Sequence, residues 1–195
     1  MGAKMIKDMI AKNRSYRRFY GEKAVTMDQL KELVDLARLS PSMANRQPLK
    51  YVLICDPKMN EKVFEHLGWA GYLQDWPGPI PSERPTAYIV MLRDTTLTKV
   101  PSTDEGIHVQ SMLLGAVEQG LGGCVIGNYN KENLAKTLNL SRDYEPIYVI
   151  ALGYPKEEVV IDSMGEDGDI KYWRDENQVH HVPKRSLEEL ILKEI

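Results

Sequence analysis

The sequence lacks several features that would indicate a function directly. Its two cysteines, Cys55 and Cys124, each lie in an apolar run without a CxxC or Cys/His spacing. This usage fits buried, reduced thiols better than a disulfide framework or a metal site. No apolar run is long enough to span a membrane, and residues 1–12 lack a signal-peptide core. We therefore expect a cytoplasmic protein without a membrane partner.

An excess of positive charge is also missing. The 195 residues carry 25 Lys and Arg against 28 Asp and Glu, a net charge of −3. This balance argues against a nucleic-acid partner. With 43% hydrophobic and 27% charged residues, the chain has the composition of a globular protein, and we expect residues 1–195 to form one domain.

The four histidines fit no metal-ligand or nucleophile motif, so we expect neither a metal site nor a histidine-based catalytic group. His180 and His181 lie between Val179 and Val182. We interpret this pair as part of an extended surface segment.

Capping signals and hydrophobic periodicity predict alternating helices and strands. Two capping boxes, Thr26 with Gln29 and Ser102 with Glu105, precede the longest periodic segments, and a third, Ser186 with Glu189, precedes a last helix. The predicted helices cover 3–12, 27–40, 57–67, 103–119 and 131–138, and the predicted strands cover 49–55, 86–92, 123–127 and 144–153.

Residues 68–85 are rich in Gly, Pro and Trp, which predicts a long loop. Long ordered loops within a domain are often lids, and a lid is the functional interpretation here. The Trp and Tyr side chains of the loop can stack on a substrate, or they can hold the loop against the core. The sequence leaves both alternatives open.

Four polar or glycine-rich segments could bind a ligand. Arg14, Ser15 and Arg17 suit a phosphate, and Lys184 with Arg185 adds two cations near the other end of the chain. The turn 41–48 offers amide and hydroxyl groups to a polar heterocycle, and the glycines of 120–127 allow a close backbone approach. Taken singly, each segment is explained as well by a solvated turn, a helix cap or a surface pair.

Taken in order, these segments resemble the nitroreductase family of flavoproteins. The matching stretches are Arg14-Ser15-Tyr16-Arg17-Arg18-Phe19, Ser40-Pro41-Ser42-Met43-Ala44-Asn45-Arg46-Gln47-Pro48, Gly120-Leu121-Gly122-Gly123-Cys124-Val125-Ile126-Gly127 and Pro183-Lys184-Arg185. The resemblance implies an α+β fold with a central, mostly antiparallel sheet flanked by helices. It also implies an intertwined homodimer in which the tail 165–195 wraps the partner, with FMN at the interface.

The resemblance assigns roles to individual residues. Basic and hydroxyl groups matching Arg14, Ser15, Lys184 and Arg185 hold the phosphate and ribityl chain, and the residue matching Arg17 lies near the N1/C2 edge of the flavin. The other subunit supplies the turn, whose assigned residues are Pro41, Ser42, Met43, Asn45 and Gln47. Backbone groups around Gly122 and Gly123 approach N5. No side chain is assigned as a catalytic acid or base, because the flavin performs the redox chemistry.

The expected function is therefore an oxidoreductase that passes hydride from NAD(P)H through FMN to nitroaromatics, quinones or similar acceptors by ping-pong kinetics. The alternatives are an FMN carrier or sensor without turnover and a flavin enzyme with other chemistry, such as flavin cleavage or dehalogenation. Two positions depart from the family pattern: Asn13 replaces a frequent basic residue, and Leu49 replaces a frequent aromatic one. The acceptor and the preference for NADH or NADPH stay open.

Overall fold

A four-stranded antiparallel sheet forms the centre of the structure, a computed structural model that describes residues 6–195. Its strands are β1 (Leu49–Ile54), β2 (Ala87–Asp94), β3 (Gly122–Ile126) and β4 (Tyr144–Gly153), arranged in the order β1-β2-β4-β3. Every residue of β2 is buried, because helices cover both faces of the sheet. The predicted antiparallel sheet flanked by helices is confirmed.

Alternate residues of β2 belong to two different cores. Ile89 and Met91 pack with α2 (Met27–Leu39) and α4 (Asp104–Glu118), whereas Tyr88 and Val90 pack on the face covered by α3 (Pro57–Phe64) and α5 (Lys131–Thr137). The N-terminal helix α1 (Ile6–Lys12) contacts α4. The start predicted for α1 at residue 3 lies outside the described residues.

Two of the three predicted capping boxes are present. Thr26 with Gln29 begins α2, and Ser186 with Glu189 begins α6 (Leu187–Leu190). The box predicted for Ser102 and Glu105 is wrong, because α4 begins after Thr103 without a side-chain cap. Glu105 instead forms a 2.7 Å ion pair with the buried Arg93.

The C-terminal part of the chain forms a second sheet that the sequence did not predict. Its strands are β5 (Val159–Ser163), β6 (Trp173–Arg174) and β7 (His180–Lys184), in the order β5-β7-β6. The strands β6 and β7 pair within their own chain. The expectation that the tail 165–195 wraps a partner stays a prediction.

The loop 68–85 is held against its own chain at several points. The ring of Trp69 lies 5.7 Å from that of Phe64, and the guanidinium of Arg174 lies 4.3 Å above the ring of Trp76. These contacts are the ones expected if the aromatic side chains hold the loop against the rest of the chain. A lid function stays a prediction. No helix in the described part of the chain is both long and apolar enough to cross a membrane.

Candidate functional site

Cations from both ends of the sequence line one pocket of about 340 Å³, called here the basic pocket. Arg14 and Arg17 come from the segment after α1, and Lys184 comes from the end of β7. Within residues 6–195, no Asp or Glu side chain lines this pocket. The volume falls in the range of small-molecule sites, and the lining gives the pocket a positive charge.

Backbone pairing brings these distant segments together. Ser15 forms an isolated parallel bridge with Gly123 of β3, and the Tyr16 N–H donates to the Gly123 carbonyl at 3.1 Å. The buried carboxylate of Glu157 accepts from the Arg17 N–H and, at 2.9 Å, from the side chain of Arg174 in β6. The N-terminal segment is thereby fixed to the sheet and to the tail.

The guanidinium of Arg17 is buried among neutral groups. The residue is 8% exposed, and its Nη1 donates to the Ser15 carbonyl at 3.2 Å and contacts His180 Nε2 at 3.1 Å. Its Cζ lies 4.6 Å from the centre of the Tyr172 ring. No carboxylate of the described chain lies within ion-pair distance of this guanidinium. The charge of Arg17 is therefore not neutralised by a direct ion pair.

His180 is the site residue that the sequence interpretation missed. The segment is extended, as expected, but the surface placement is wrong for His180, which is 1% exposed and lines the basic pocket. Burial, followed by the charges of Arg17 and Arg174, lowers the pKa of His180 to about 4. The alternation Val179-His180-His181-Val182 carried the available signal, because a strand directs only one residue of each pair toward a given face.

The turn 41–47 lies on the other side of α4 and forms a separate cavity of about 280 Å³. That cavity is lined by Ser42, Asn45, Gln47 and His108 of α4, whereas Val109 and other α4 residues line the basic pocket. Within one chain, the residues of the turn 41–47 and the cations of the basic pocket therefore line separate cavities. The assignment of the turn to the partner's flavin stays a prediction.

The backbone of this turn is strained. Ala44, Asn45 and Gln47 have φ values of 52°, 53° and 50°, in the left-handed region that residues other than glycine seldom adopt. Strained backbone of this kind persists only where surrounding contacts enforce it, and it concentrates at ligand sites.

Asp104 enforces the conformation of the turn. Its carboxylate accepts from the Ser42 hydroxyl at 2.5 Å and from the Met43 N–H at 2.8 Å, and the Ser42 oxygen accepts from the Gln47 N–H at 2.9 Å. Burial acts to raise the pKa of Asp104, but the hydrogen bonds from Ser42 and Met43 outweigh it and lower that pKa. The hydrogen of the Ser42 hydroxyl is therefore used within its own chain, and the role of Ser42 as a flavin ligand stays a prediction. Pro41 precedes this network and does not line the cavity.

Packing explains both predicted glycines of β3. A Cβ on Gly122 would lie 2.4 Å from the Tyr16 ring, and one on Gly123 would lie 2.6 Å from Leu113 Cδ2. Gly123 lines the basic pocket, but Gly122 does not. The expected approach of backbone groups around Gly122 and Gly123 to a flavin stays a prediction.

Arg185 is the one predicted cation that the structure turns away from the basic pocket. Its Nη1 pairs with Glu189 Oε1 at 3.2 Å across the start of α6, and the residue lines a different surface depression. Lys184 is the last residue of β7, whereas Arg185 follows the strand and lies where its side chain reaches Glu189 of α6.

Comparison with known proteins identifies the family. Residues 10–154 match the sequence model of the nitroreductase family, and the chain belongs to that family. An Archaeoglobus fulgidus protein with the provisional name NADH dehydrogenase/NAD(P)H nitroreductase is 27% identical over 158 residues, which cover 77% of this chain and 85% of that protein.

Solved structures confirm the expected nitroreductase-like fold. A nitroreductase family protein from Streptococcus pneumoniae has a TM-score of 0.68 at 16% identity, covering 97% of this chain and 100% of that one. The NADPH:FMN oxidoreductase of Vibrio harveyi, solved in complex with NAD⁺, has a TM-score of 0.60 at 23% identity, covering 77% of this chain and 68% of that one.

Proposed function

We propose that this protein is an FMN-dependent oxidoreductase that takes hydride from NAD(P)H and delivers it to nitroaromatics, quinones or similar acceptors. One observation carries the proposal: Arg14, Arg17 and Lys184, from opposite ends of the sequence, converge on a pocket that no carboxylate of residues 6–195 lines. Arg17 is buried and Arg14 is partly buried, while Lys184 is exposed at the rim. Buried cations without acidic partners favour an anionic ligand.

The groups around the basic pocket fit FMN. Arg14, Ser15 and Lys184 offer cationic and hydroxyl donors to the phosphate, and Arg14 Nε is buried without a partner in its own chain. The side chains of Val109 and Leu113 supply an apolar wall suited to a flat ring. FMN, when bound, supplies two-electron hydride chemistry that no side chain of the pocket provides.

Arg17 would act on the charge of the bound ligand. A fixed guanidinium in a partly dehydrated pocket stabilises negative charge more strongly than a mobile one at the surface. This favours the reduced form of a flavin, if the N1/C2 edge lies at Arg17 as the resemblance implies. The side chains of this site then need only bind and orient the ligand, and none needs to act as an acid or base.

The proposal includes a homodimer in which the turn 41–47 reaches the partner's basic pocket. It is supported by the position of the turn beyond α4 and by the exposed apolar residues that follow β7. Leu187, Leu190 and Leu192 are largely exposed in one protomer, as expected for residues that a partner covers. Donor and acceptor would use the same pocket in turn, which predicts ping-pong kinetics.

The test begins with the absorbance spectrum of the purified protein and an FMN titration of the apoprotein. Anaerobic stopped-flow mixing with NADH and with NADPH follows, then steady-state oxidation of each with a nitroaromatic or a quinone acceptor. Rapid bleaching of the flavin and acceptor-dependent turnover support the proposal. A flavin that binds but is not reduced indicates a carrier or sensor. A colourless protein that takes up no FMN and oxidises no NAD(P)H contradicts the proposal.

Other flavin chemistry is distinguished by its products. Cleavage of the flavin would release fragments of the isoalloxazine ring, and reductive dehalogenation would release halide from a halogenated aromatic substrate. The same reduced protein, mixed with each class of acceptor and examined by mass spectrometry, separates these reactions from nitro or quinone reduction.

A further inference from the structure

We infer that His180 is a positioning residue that holds the Arg17 guanidinium in the basic pocket through its Nε2 atom, and so sets the affinity and the reduction potential of the bound flavin. The inference rests on the proposed function, and it adds a residue that neither the family resemblance nor the sequence motifs assign. Its basis is the contact between Nη1 of Arg17 and Nε2 of a fully buried imidazole.

The donor and acceptor in this contact are fixed by chemistry. A guanidinium has only N–H donors, so His180 Nε2 must accept, and the ring is therefore neutral with its proton on Nδ1. The low pKa of His180 agrees with this state, because burial and the nearby charges of Arg17 and Arg174 oppose protonation. A neutral acceptor orients Arg17 without cancelling its charge.

The other contacts of Arg17 are of the same kind. The Ser15 carbonyl accepts from Nη1, and the Tyr172 ring lies against the guanidinium while also packing 5.1 Å from the His180 ring. A carboxylate in place of His180 would bind Arg17 more tightly but would neutralise it, leaving less charge for a ligand phosphate or an anionic ring edge. We conclude that the imidazole combines fixed geometry with an uncompensated charge.

The strand β7 explains why His180, and not its neighbour, has this role. His181 points to the other side of the strand, where its Nδ1 donates to Asp162 at 2.7 Å and its ring stacks on Trp173 at 4.1 Å. His181 does not line the basic pocket. The chain thus supplies a matched control of the same residue type at the next position.

The experiment compares four variants with wild type: His180→Phe, His180→Gln, His181→Phe and Arg17→Ala. Phe retains the aromatic packing on Tyr172 but removes the acceptor, whereas Gln can place an oxygen near the position of Nε2. FMN dissociation constants of the apoproteins are measured by fluorescence quenching, and midpoint potentials of the bound flavin by spectroscopic titration. Circular dichroism checks folding.

His180→Phe should weaken FMN binding about tenfold, the effect of one lost charge-assisted hydrogen bond. It should also make the potential more negative by about 30 mV, which corresponds to a tenfold weaker preference for reduced over oxidised flavin. His180→Gln should recover most of the FMN affinity and most of the midpoint potential. His181→Phe should leave the FMN dissociation constant within about twofold of wild type and the potential nearly unchanged. A change in packing alone would not shift the potential and then be reversed by Gln.

A double variant tests whether His180 acts through Arg17. In an Arg17→Ala background, adding His180→Phe should change FMN affinity by less than about twofold, because the group that it positions is already absent. An equal tenfold loss in both backgrounds would overturn the inference, as would unchanged affinity and potential in folded His180→Phe. If wild-type apoprotein binds no FMN at all, the proposed function itself fails; if wild type binds FMN and these variants match it, only the inference fails.

Discussion

The basic pocket and the turn 41–47 lie on opposite sides of α4 and use their polar groups in opposite ways. In the basic pocket, the Arg17 guanidinium contacts only neutral acceptors and keeps an unpaired charge. In the turn, the Ser42 hydroxyl and the Met43 N–H already donate to the buried Asp104. The first arrangement leaves binding capacity for a ligand. The second uses its capacity to maintain a strained backbone shape.

The largest expected effect comes from removing the central charge of the basic pocket. Arg17→Ala should weaken FMN binding about ten- to a hundredfold, because charge-assisted hydrogen bonds contribute roughly 1.5–3 kcal/mol. Folding should be retained. Fluorescence titration of the apoprotein measures the affinity.

The neighbouring Arg18 provides the control for this change. Arg18 pairs with Glu83 through two contacts of 2.7 and 2.8 Å and does not line the pocket. Arg18→Ala should therefore lower stability while leaving FMN affinity nearly unchanged. Unchanged affinity in Arg17→Ala would remove Arg17 from the site.

Mixing two defective subunits tests whether the two regions meet across a dimer. Arg17→Ala and Asn45→Ala proteins should each have little activity, since each would damage both sites of its own dimer. In a mixed dimer, one site would receive both intact residues, so equal exchange should restore about a quarter of the wild-type sites. Steady-state turnover after exchange, with mass spectrometry to verify mixed dimers, measures the rescue. Verified mixing without recovery would contradict a shared site.

Asp104→Asn should loosen the turn. Each carboxylate oxygen of Asp104 accepts one hydrogen bond, whereas only one of the two terminal atoms of an amide can accept. We expect a loss of about 1–2 kcal/mol in stability and a several-fold loss of FMN affinity. Hydrogen exchange at the Met43 and Gln47 amides should accelerate. Asp28→Asn, at an exposed carboxylate in the first turn of α2, is the control. Unchanged exchange at these amides would show that Asp104 does not hold the turn.

Acid should affect the basic pocket before it affects the turn. The pKa of His180 is about 4 in the folded protein, below its ordinary value of 6.5. As the pH falls, His180 is therefore protonated in the unfolded chain before it is protonated in the folded one. The free energy of unfolding should decrease on the order of 1–3 kcal/mol as the pH decreases from 6.5 toward 4. The pKa of Asp104 lies below its ordinary 3.8, so its contribution should be lost only below that pH.

Denaturant unfolding between pH 7 and 3 separates these two contributions. His180→Gln should flatten the stability profile between pH 6.5 and 4. Asp104→Asn should lower stability near neutral pH and reduce the further loss that wild type shows below about pH 3.8. A His180→Gln profile identical in shape to that of wild type would contradict the buried neutral state of the imidazole.

The smallest expected effect is a gain in stability from relieving strain in the turn. Ala44 has a φ of 52°, which glycine adopts without a steric penalty, so Ala44→Gly should stabilise the protein by up to about 1 kcal/mol. The same replacement at Ala135, within α5, should destabilise it by about 1 kcal/mol. Thermal unfolding compares the two. Equal destabilisation by both would contradict a left-handed conformation at residue 44.

Local signals predicted the central elements because those elements depend on short-range chemistry. The Thr26–Gln29 box begins α2 as expected, and the apolar run 144–153 forms β4. The predicted box at Ser102 failed for a tertiary reason, since Glu105 pairs with Arg93 of a neighbouring strand. The second sheet was also missed, because β6 has only two residues and the pairing of β5 with β7 joins segments that are distant in sequence.

The sequence alone determined the order of the polar segments that identify the family, and it placed Arg14, Arg17 and Lys184 in segments suited to an anion. Only the tertiary structure decided which side chains share the basic pocket. It brought His180 to Arg17, directed Arg185 toward Glu189, and occupied the Ser42 hydroxyl with Asp104. The physical reason is that capping and periodicity act over a few residues. The direction and hydrogen-bond partners of a side chain depend instead on elements that meet only after the chain has folded.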